Sequence, residues 1–192
     1  MERTAASLGR RARLRKPLPN LLVFTDPVRT PDPEALARRL PRGAALVYRS
    51  FGAADAEAIA RRLRMILQGQ GARLLIGADS ALALRVGADG VHLPERLAWR
   101  AVSLRGRFSL ITSAAHSLRA ARAVGPDAVV VSAVFPSSSP SAGRPIGPVR
   151  FAALVRAAGR PVYALGGVTN ETARRLGSTG AVGLAGIEAF RT

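Results

Sequence analysis

The chain has 192 residues, no cysteine and 48% hydrophobic residues, which is enough apolar material for one globular domain. These values exclude a disulfide-rich scaffold, a thiolate metal centre and an intrinsically disordered chain. Its 29 Lys and Arg residues against 12 Asp and Glu residues give a formal net charge of +17, which favours encounter with phosphorylated ligands or nucleic acid.

The beginning of the chain differs in composition from the rest. A basic cluster comprises Arg10, Arg11, Arg13, Arg15 and Lys16. We interpret residues 1–19 as a basic, mobile arm and residues 20–192 as the folded domain. No aromatic residues interleave with this cluster, so nucleic acid is not the expected partner. No apolar run reaches the ~18 residues of a membrane span, and no secretory signal is evident, so the sequence predicts a cytoplasmic protein without membrane contact.

Short apolar runs alternate along the chain with amphipathic segments rich in Ala, Arg and Leu. The predicted strands are Leu21–Asp26, Ala45–Ser50, Arg73–Ala78, Gly90–Leu93, Ser109–Ala114, Ala128–Val134, Pro161–Gly167 and Ala181–Ile187. The predicted helices are Pro33–Leu40, Asp55–Leu67, Asp79–Val86, Arg96–Val102, Ser117–Val124, Pro148–Ala157 and Asn170–Leu176, with a stub at Glu188–Arg191. Eight strand-helix units with apolar strands predict a minimal (β/α)8 TIM barrel with a parallel eight-stranded sheet. An open doubly wound sheet is the alternative, but no Gly-x-Gly-x-x-Gly follows the first strand.

In such a barrel the active site lies at the C-terminal ends of the strands, so the residues there are candidates. Gly166 and Gly167 follow the seventh strand, and Gly186 and Ile187 end the eighth. Small residues in both turns expose backbone N–H groups, which predicts a phosphate site. His116 follows the fifth strand, and an imidazole can take up and return a proton at neutral pH. We therefore expect His116 to be catalytic.

Six short motifs occur along the chain: Thr25-Asp26, Tyr48-Arg49, Gly87-Ala88-Asp89-Gly90-Val91-His92-Leu93, His116-Ser117, Val134-Phe135-Pro136 and Ala164-Leu165-Gly166-Gly167-Val168. Together, and in this order, they resemble the thiamine phosphate synthase/TenI family over roughly Leu21 to Phe190. The resemblance implies a (β/α)8 barrel that binds a thiazole phosphate. One branch of the family couples this ligand to a pyrimidine pyrophosphate with Mg²⁺, and another moves a proton on a thiazole carboxylate phosphate.

The chain departs from the synthase pattern in two loops that should carry cations. The family shows Gln-x-Arg-x-Lys after the second strand, where this chain keeps Arg49 and has Phe51 in the lysine position. After the sixth strand the hydroxyls persist as Ser137 and Ser139, but Pro140 replaces the lysine. We expect Arg49, Ser137 and Ser139 to bind substrate.

The two carboxylates that would ligate Mg²⁺ in the family are also displaced. Their positions fall on Ala78 and Leu97, while Asp79 and Glu95 lie close by in sequence. Because Mg²⁺ demands near-octahedral oxygen ligands at about 2.0–2.1 Å, displaced carboxylates suit it poorly. We interpret Asp79 as a helix N-cap and Glu95 as a first-turn acid, and we expect no metal and no cofactor.

These departures favour a TenI-like thiazole tautomerase in which His116 acts as acid and base. Two alternatives stay open: a thiamine phosphate synthase, with Mg²⁺ as its metal, and a non-catalytic protein that binds thiamine phosphate. The expected partner is a phosphorylated thiazole or thiamine phosphate. The sequence is compatible with a homodimer.

Overall fold

A computed structural model of the chain describes residues 2–11, 17–137 and 143–187. Eight parallel strands follow one another around a closed barrel, in which β1 pairs with both β2 and β8. The strands are β1 Leu21–Phe24, β2 Ala45–Tyr48, β3 Arg73–Gly77, β4 Gly90–Leu93, β5 Leu110–Ala115, β6 Ala128–Val131, β7 Val162–Ala164 and β8 Gly183–Gly186. Each lies within the strand predicted for it or overlaps it, and the predicted TIM barrel is confirmed.

Helices connect the strands and cover the outside of the barrel. They are α1 Glu2–Arg11, α2 Pro33–Arg38, α3 Ala56–Gln70, α4 Ser80–Arg85, a 3-10 helix Glu95–Arg100, α5 Ala101–Leu104, α6 Leu118–Ala121, α7 Gly147–Ala158 and α8 Asn170–Arg174. In α3 the helical period brings Ala60, Leu63 and Leu67 to one buried face. Charged residues of α3 occupy the exposed face, where Arg61 pairs with Glu57 at 2.7 Å.

The inside of the barrel is filled by side chains from alternate strand positions. This inner cluster includes Leu22, Val47, Leu75 and Tyr163, and a larger cluster lies between the strands and the helices. The buried Tyr163 hydroxyl donates a 2.5 Å hydrogen bond to the carbonyl of Pro19, below the start of β1. The N-terminal end of the barrel is therefore packed, and the open end is the one at which the strands finish.

The N-terminal segment begins with a helix, α1, that the sequence analysis did not predict. Helix α1 packs near β1, β8 and α8, and it buries Ala5 and Leu8, which are 1% and 2% exposed. These two residues lie three apart on one helical face, a pattern that the high charge of the segment obscures. Residues 12–16 lie outside the described residues, and the division at residue 20 stays a prediction. Among the described residues no helix is long and apolar enough to cross a membrane.

The most specific motif of the family supports the fold from the packed end of the barrel. The carboxylate of Asp89 accepts a 2.8 Å hydrogen bond from the N–H of Leu74, at the start of β3. Asp127, just before β6, accepts an equivalent bond from Ile111 in β5. These carboxylates fix neighbouring strands in register.

Candidate active site

The C-terminal ends of the strands surround a cavity of about 1510 Å³. The predicted site residues that line it are Arg49, His116, Ser137, Gly166, Gly167, Gly186 and Ile187. Ser139, also predicted to bind substrate, lies outside the described residues. Sites for one small ligand typically measure ~300–1000 Å³, so the barrel mouth has room for two small ligands.

The two glycines after β7 form a turn in which a side chain cannot fit. Gly167 has φ of +63°, and a Cβ placed on it would lie 2.2 Å from the carbonyl oxygen of Pro136. Gly166 also has a positive φ, of +91°. Among the residues that the structure describes, no acceptor takes the N–H groups of these two glycines. Both glycines line the mouth, so their N–H groups are available to donate to an anion.

Arg49 is held firmly in the wall of the mouth, at the end of β2. Its Nε donates to the carbonyl oxygen of Thr25 at 2.7 Å, and its Nη2 lies 3.4 Å from Oδ2 of Asp26. Gly77 makes room for this side chain, because a Cβ there would lie 2.9 Å from Cγ of Arg49. Burial lowers the pKa of Arg49 from its ordinary value, while Asp26 acts in the opposite direction.

Two further arginines line the mouth, and sequence reasoning missed both. Arg29 lies in the loop after β1 and pairs with Asp26 at 3.2 Å, and Arg100 ends the 3-10 helix after β4. Burial tends to raise the pKa of Asp26, but hydrogen bonds from Arg29 and Val28 outweigh it and hold the pKa below its ordinary value. Neither arginine follows a strand directly, so position relative to the strands gave no signal for them.

His116 is paired with a carboxylate that the sequence did not connect with it. Oε2 of Glu95 lies 2.7 Å from Nδ1 of His116 and accepts a second 2.7 Å hydrogen bond from the His116 backbone N–H. The Nε2 atom has no partner within the described part of the chain. The following helix is capped by Ser117. A carboxylate on Nδ1 with Nε2 left free is a suitable arrangement for proton transfer.

The residues of the mouth do not fit a magnesium ion. Oδ1 of Asp79 caps α4 by accepting a 2.8 Å hydrogen bond from the N–H of Leu82, as expected. Glu95 is engaged with His116, and Ala78 and Leu97 offer no carboxylate. Within residues 2–11, 17–137 and 143–187 no group of three or more His, Cys, Asp or Glu side chains could hold a metal ion.

His92 forms part of the floor of the mouth and is neutral. It is 8% exposed, its Nδ1 lies 2.9 Å from Oγ1 of Thr112, and its ring meets that of Phe24 edge-on at 4.9 Å. Burial, together with the nearby charge of Arg49, lowers the pKa of His92 to about 3. Its ring packs against Phe24, over which the guanidinium of Arg49 also lies.

The fold and the arrangement of these residues define a (β/α)8 barrel with its candidate active site at the C-terminal ends of the strands. A family model described as thiamine monophosphate synthase matches residues 21–190. The chain belongs to this family, as the motifs indicated.

Similar proteins cover most of the chain. A relative from Aquifex aeolicus, provisionally named as a second thiamine-phosphate synthase, is 35% identical over 90% of this chain and 98% of its own length. The thiamine-phosphate synthase of Thioalkalivibrio sulfidiphilus is 36% identical over 78% of this chain and 76% of its own. The solved thiamine phosphate pyrophosphorylase from Pyrococcus furiosus has a TM-score of 0.75 and 28% identity, and covers 87% of this chain and 84% of its own. These names favour the synthase alternative over the expected tautomerase.

Proposed function

We propose that the chain is a thiamine-phosphate synthase, which joins a thiazole phosphate to a pyrimidine pyrophosphate at the barrel mouth. Family membership and the synthase names of its relatives support this proposal. The observation that carries it is the set of three arginines that line the mouth, Arg29, Arg49 and Arg100. These arginines would take the place of the two family lysines that this chain lacks at Phe51 and Pro140.

In the reaction the C–O bond between the methylene carbon of the pyrimidine and the pyrophosphate breaks, and the pyrophosphate leaves with the electron pair. The thiazole nitrogen uses its lone pair to form the new C–N bond to that carbon. Guanidinium groups bind such oxygens through paired N–H donors, and fixed donors stabilise developing charge most effectively. Arg49 is already fixed by Thr25 and Asp26, so it needs little reorganisation during the reaction. On the other side of the mouth, the turn at Gly166 and Gly167 offers N–H groups to the phosphate of the thiazole.

The test is direct product formation from both substrates. The wild-type protein should release pyrophosphate and thiamine phosphate in equal amounts, measured by mass spectrometry. Arg49→Ala should lower kcat by about 10²–10³, the usual effect of losing one such contact. The exposed Arg107, which does not line the mouth, supplies the matched control Arg107→Ala, which should leave the rate unchanged. Absence of thiamine phosphate with the wild type would refute the proposal.

A tautomerase is the second candidate, and the pair of His116 and Glu95 favours it. With Nδ1 facing the carboxylate, Nε2 of His116 is free to remove a ring proton and return it at another position. The wild type should then exchange a proton of thiazole carboxylate phosphate with D₂O in an NMR experiment. His116→Asn should slow this exchange by about 10²–10⁴. Wild-type protein that exchanges no ring proton would exclude the tautomerase.

A further inference from the structure

Phe51 is an aromatic residue exposed at the mouth in an unusual backbone conformation. It lies just after β2, lines the cavity and is 64% exposed. Its φ is +50°, in a region that glycine adopts readily but bulky residues rarely do. Such strain persists where the surrounding structure requires it, and it is concentrated at functional sites. This conformation presents a large apolar ring to the cavity.

One face of this ring is supported by a fixed cation. The guanidinium carbon of Arg49 lies 5.1 Å from the ring centroid of Phe51 and 5.7 Å from that of Phe24. The guanidinium therefore contacts an aromatic ring on the floor of the mouth and another at its rim. Because Arg49 is also bonded to Thr25, this support is rigid. The exposed remainder of the Phe51 ring is available to a ligand.

We propose that Phe51 is a stacking platform that selects phosphorylated ligands carrying an aromatic ring. The inference rests on the proposed function, in which both substrates contain a heteroaromatic ring. A ring stacked on Phe51 lies beside Arg49, so one ligand can use the aromatic surface for its ring and the guanidinium for its phosphates. An aromatic platform prefers ligands that carry a ring over inorganic pyrophosphate. A lysine at the same position would not make this distinction, because its ammonium group is a point charge that binds either one.

Calorimetric titration with two probes tests this selectivity. The wild type should bind the pyrimidine pyrophosphate more tightly than inorganic pyrophosphate. Phe51→Ala should weaken binding of the pyrimidine compound at least about fivefold, since stacking on an aromatic side chain contributes about that much or more. Its affinity for inorganic pyrophosphate should change less than twofold. Phe51→Tyr should retain the preference, because it keeps the ring, whereas Phe51→Leu should lose it.

Met65 supplies the control, because it is 67% exposed on α3 and does not line the cavity. Met65→Ala should bind both probes as the wild type does. The platform is refuted if the wild type binds the pyrimidine compound no tighter than inorganic pyrophosphate, or if Phe51→Ala binds both probes unchanged. Failure of the proposed reaction would look different, because the selectivity would persist while no thiamine phosphate formed.

Discussion

The two sides of the barrel mouth are built in different ways. After β7 the surface is made of backbone, in a glycine turn where a Cβ on Gly167 would collide with Pro136. After β2 and β4 the surface is made of side chains, with Arg49 stacked between rings and Glu95 bonded to His116. Backbone geometry tolerates almost no substitution, whereas a wall of side chains can change its chemistry while the strands stay in place.

This difference explains where the chain follows its family and where it departs from it. The Gly-Gly motif is retained, and the wall after β2 and β3 has Phe51 and Ala78 where the family pattern has a lysine and a carboxylate. The same barrel can thus keep a site for one phosphate while the groups that act on the rest of the ligand vary.

The largest expected effect comes from adding one methyl group to the backbone side. Gly167→Ala should lower the free energy of unfolding by about 2–5 kcal/mol, because a positive φ and a backbone collision act together. Affinity for thiazole phosphate should fall more than about 100-fold, because the collision displaces the turn and moves both N–H groups away from the charged phosphate. Chemical denaturation and calorimetry measure the two effects.

The control for this variant is Gly43→Ala. Gly43 has φ of +80°, but no atom lies within 4 Å of an added Cβ, and the residue precedes β2 at the packed end of the barrel. Its cost should be about 1–2 kcal/mol, with ligand affinity unchanged. If the two variants lose equal stability and equal affinity, the glycine turn after β7 has no special role.

An intermediate effect is expected when the pH is lowered, because His92, below the side-chain side of the mouth, then loses its contribution to stability. The pKa of His92 is about 3 in the folded protein and about 6.5 when unfolded, so the unfolded chain binds more protons between these values. Stability from this residue is complete above pH 6.5 and is lost as the pH falls. Between pH 7 and pH 5 the loss should be about 2 kcal/mol.

The variant His92→Asn isolates this contribution. Its unfolding free energy should depend less on pH than that of the wild type, by the same ~2 kcal/mol between pH 7 and pH 5. Parallel curves for the two proteins would mean that the pKa of His92 is the same in the folded and unfolded chain, contrary to the effect of its burial.

The smallest effect is expected at Asp79. The magnesium-binding carboxylate of the family pattern falls one position earlier, on Ala78. If Asp79 serves only as the N-cap of α4, Asp79→Asn should be nearly silent, because Asn caps helices as well as Asp does. The turnover of this variant should stay within about twofold of the wild-type value at every magnesium concentration. A loss above about 100-fold that excess Mg²⁺ relieves would show that this carboxylate ligates the metal.

The barrel could be predicted from the sequence, because each short apolar run and the amphipathic segment after it are recognised from local residues alone. The positions of Gly166 and Gly167 were also predictable, because a turn directly after a strand inherits its place from the strand. The pair of His116 and Glu95 was not, since it joins two loops 21 residues apart.

Other features of the mouth depended on loop paths that no local pattern encodes. Arg29 and Arg100 reach the cavity from within loops or helix ends, and nothing separates them from other arginines of this strongly basic chain. The positive φ of Phe51 could not be predicted from its residue type either, because a bulky side chain rarely adopts it. The buried face of α1 was not predicted, because the many basic residues within residues 1–19 hide the short apolar pattern of Ala5 and Leu8.

A crystal structure of the complex with thiamine phosphate tests both proposed binding surfaces at once, because this molecule contains both rings and one phosphate. We predict phosphate oxygens within hydrogen-bonding distance of the N–H groups of Gly166 and Gly167, with the pyrimidine ring stacked on Phe51. A phosphate bound at Arg49 instead, with the glycine turn unoccupied, would contradict this prediction.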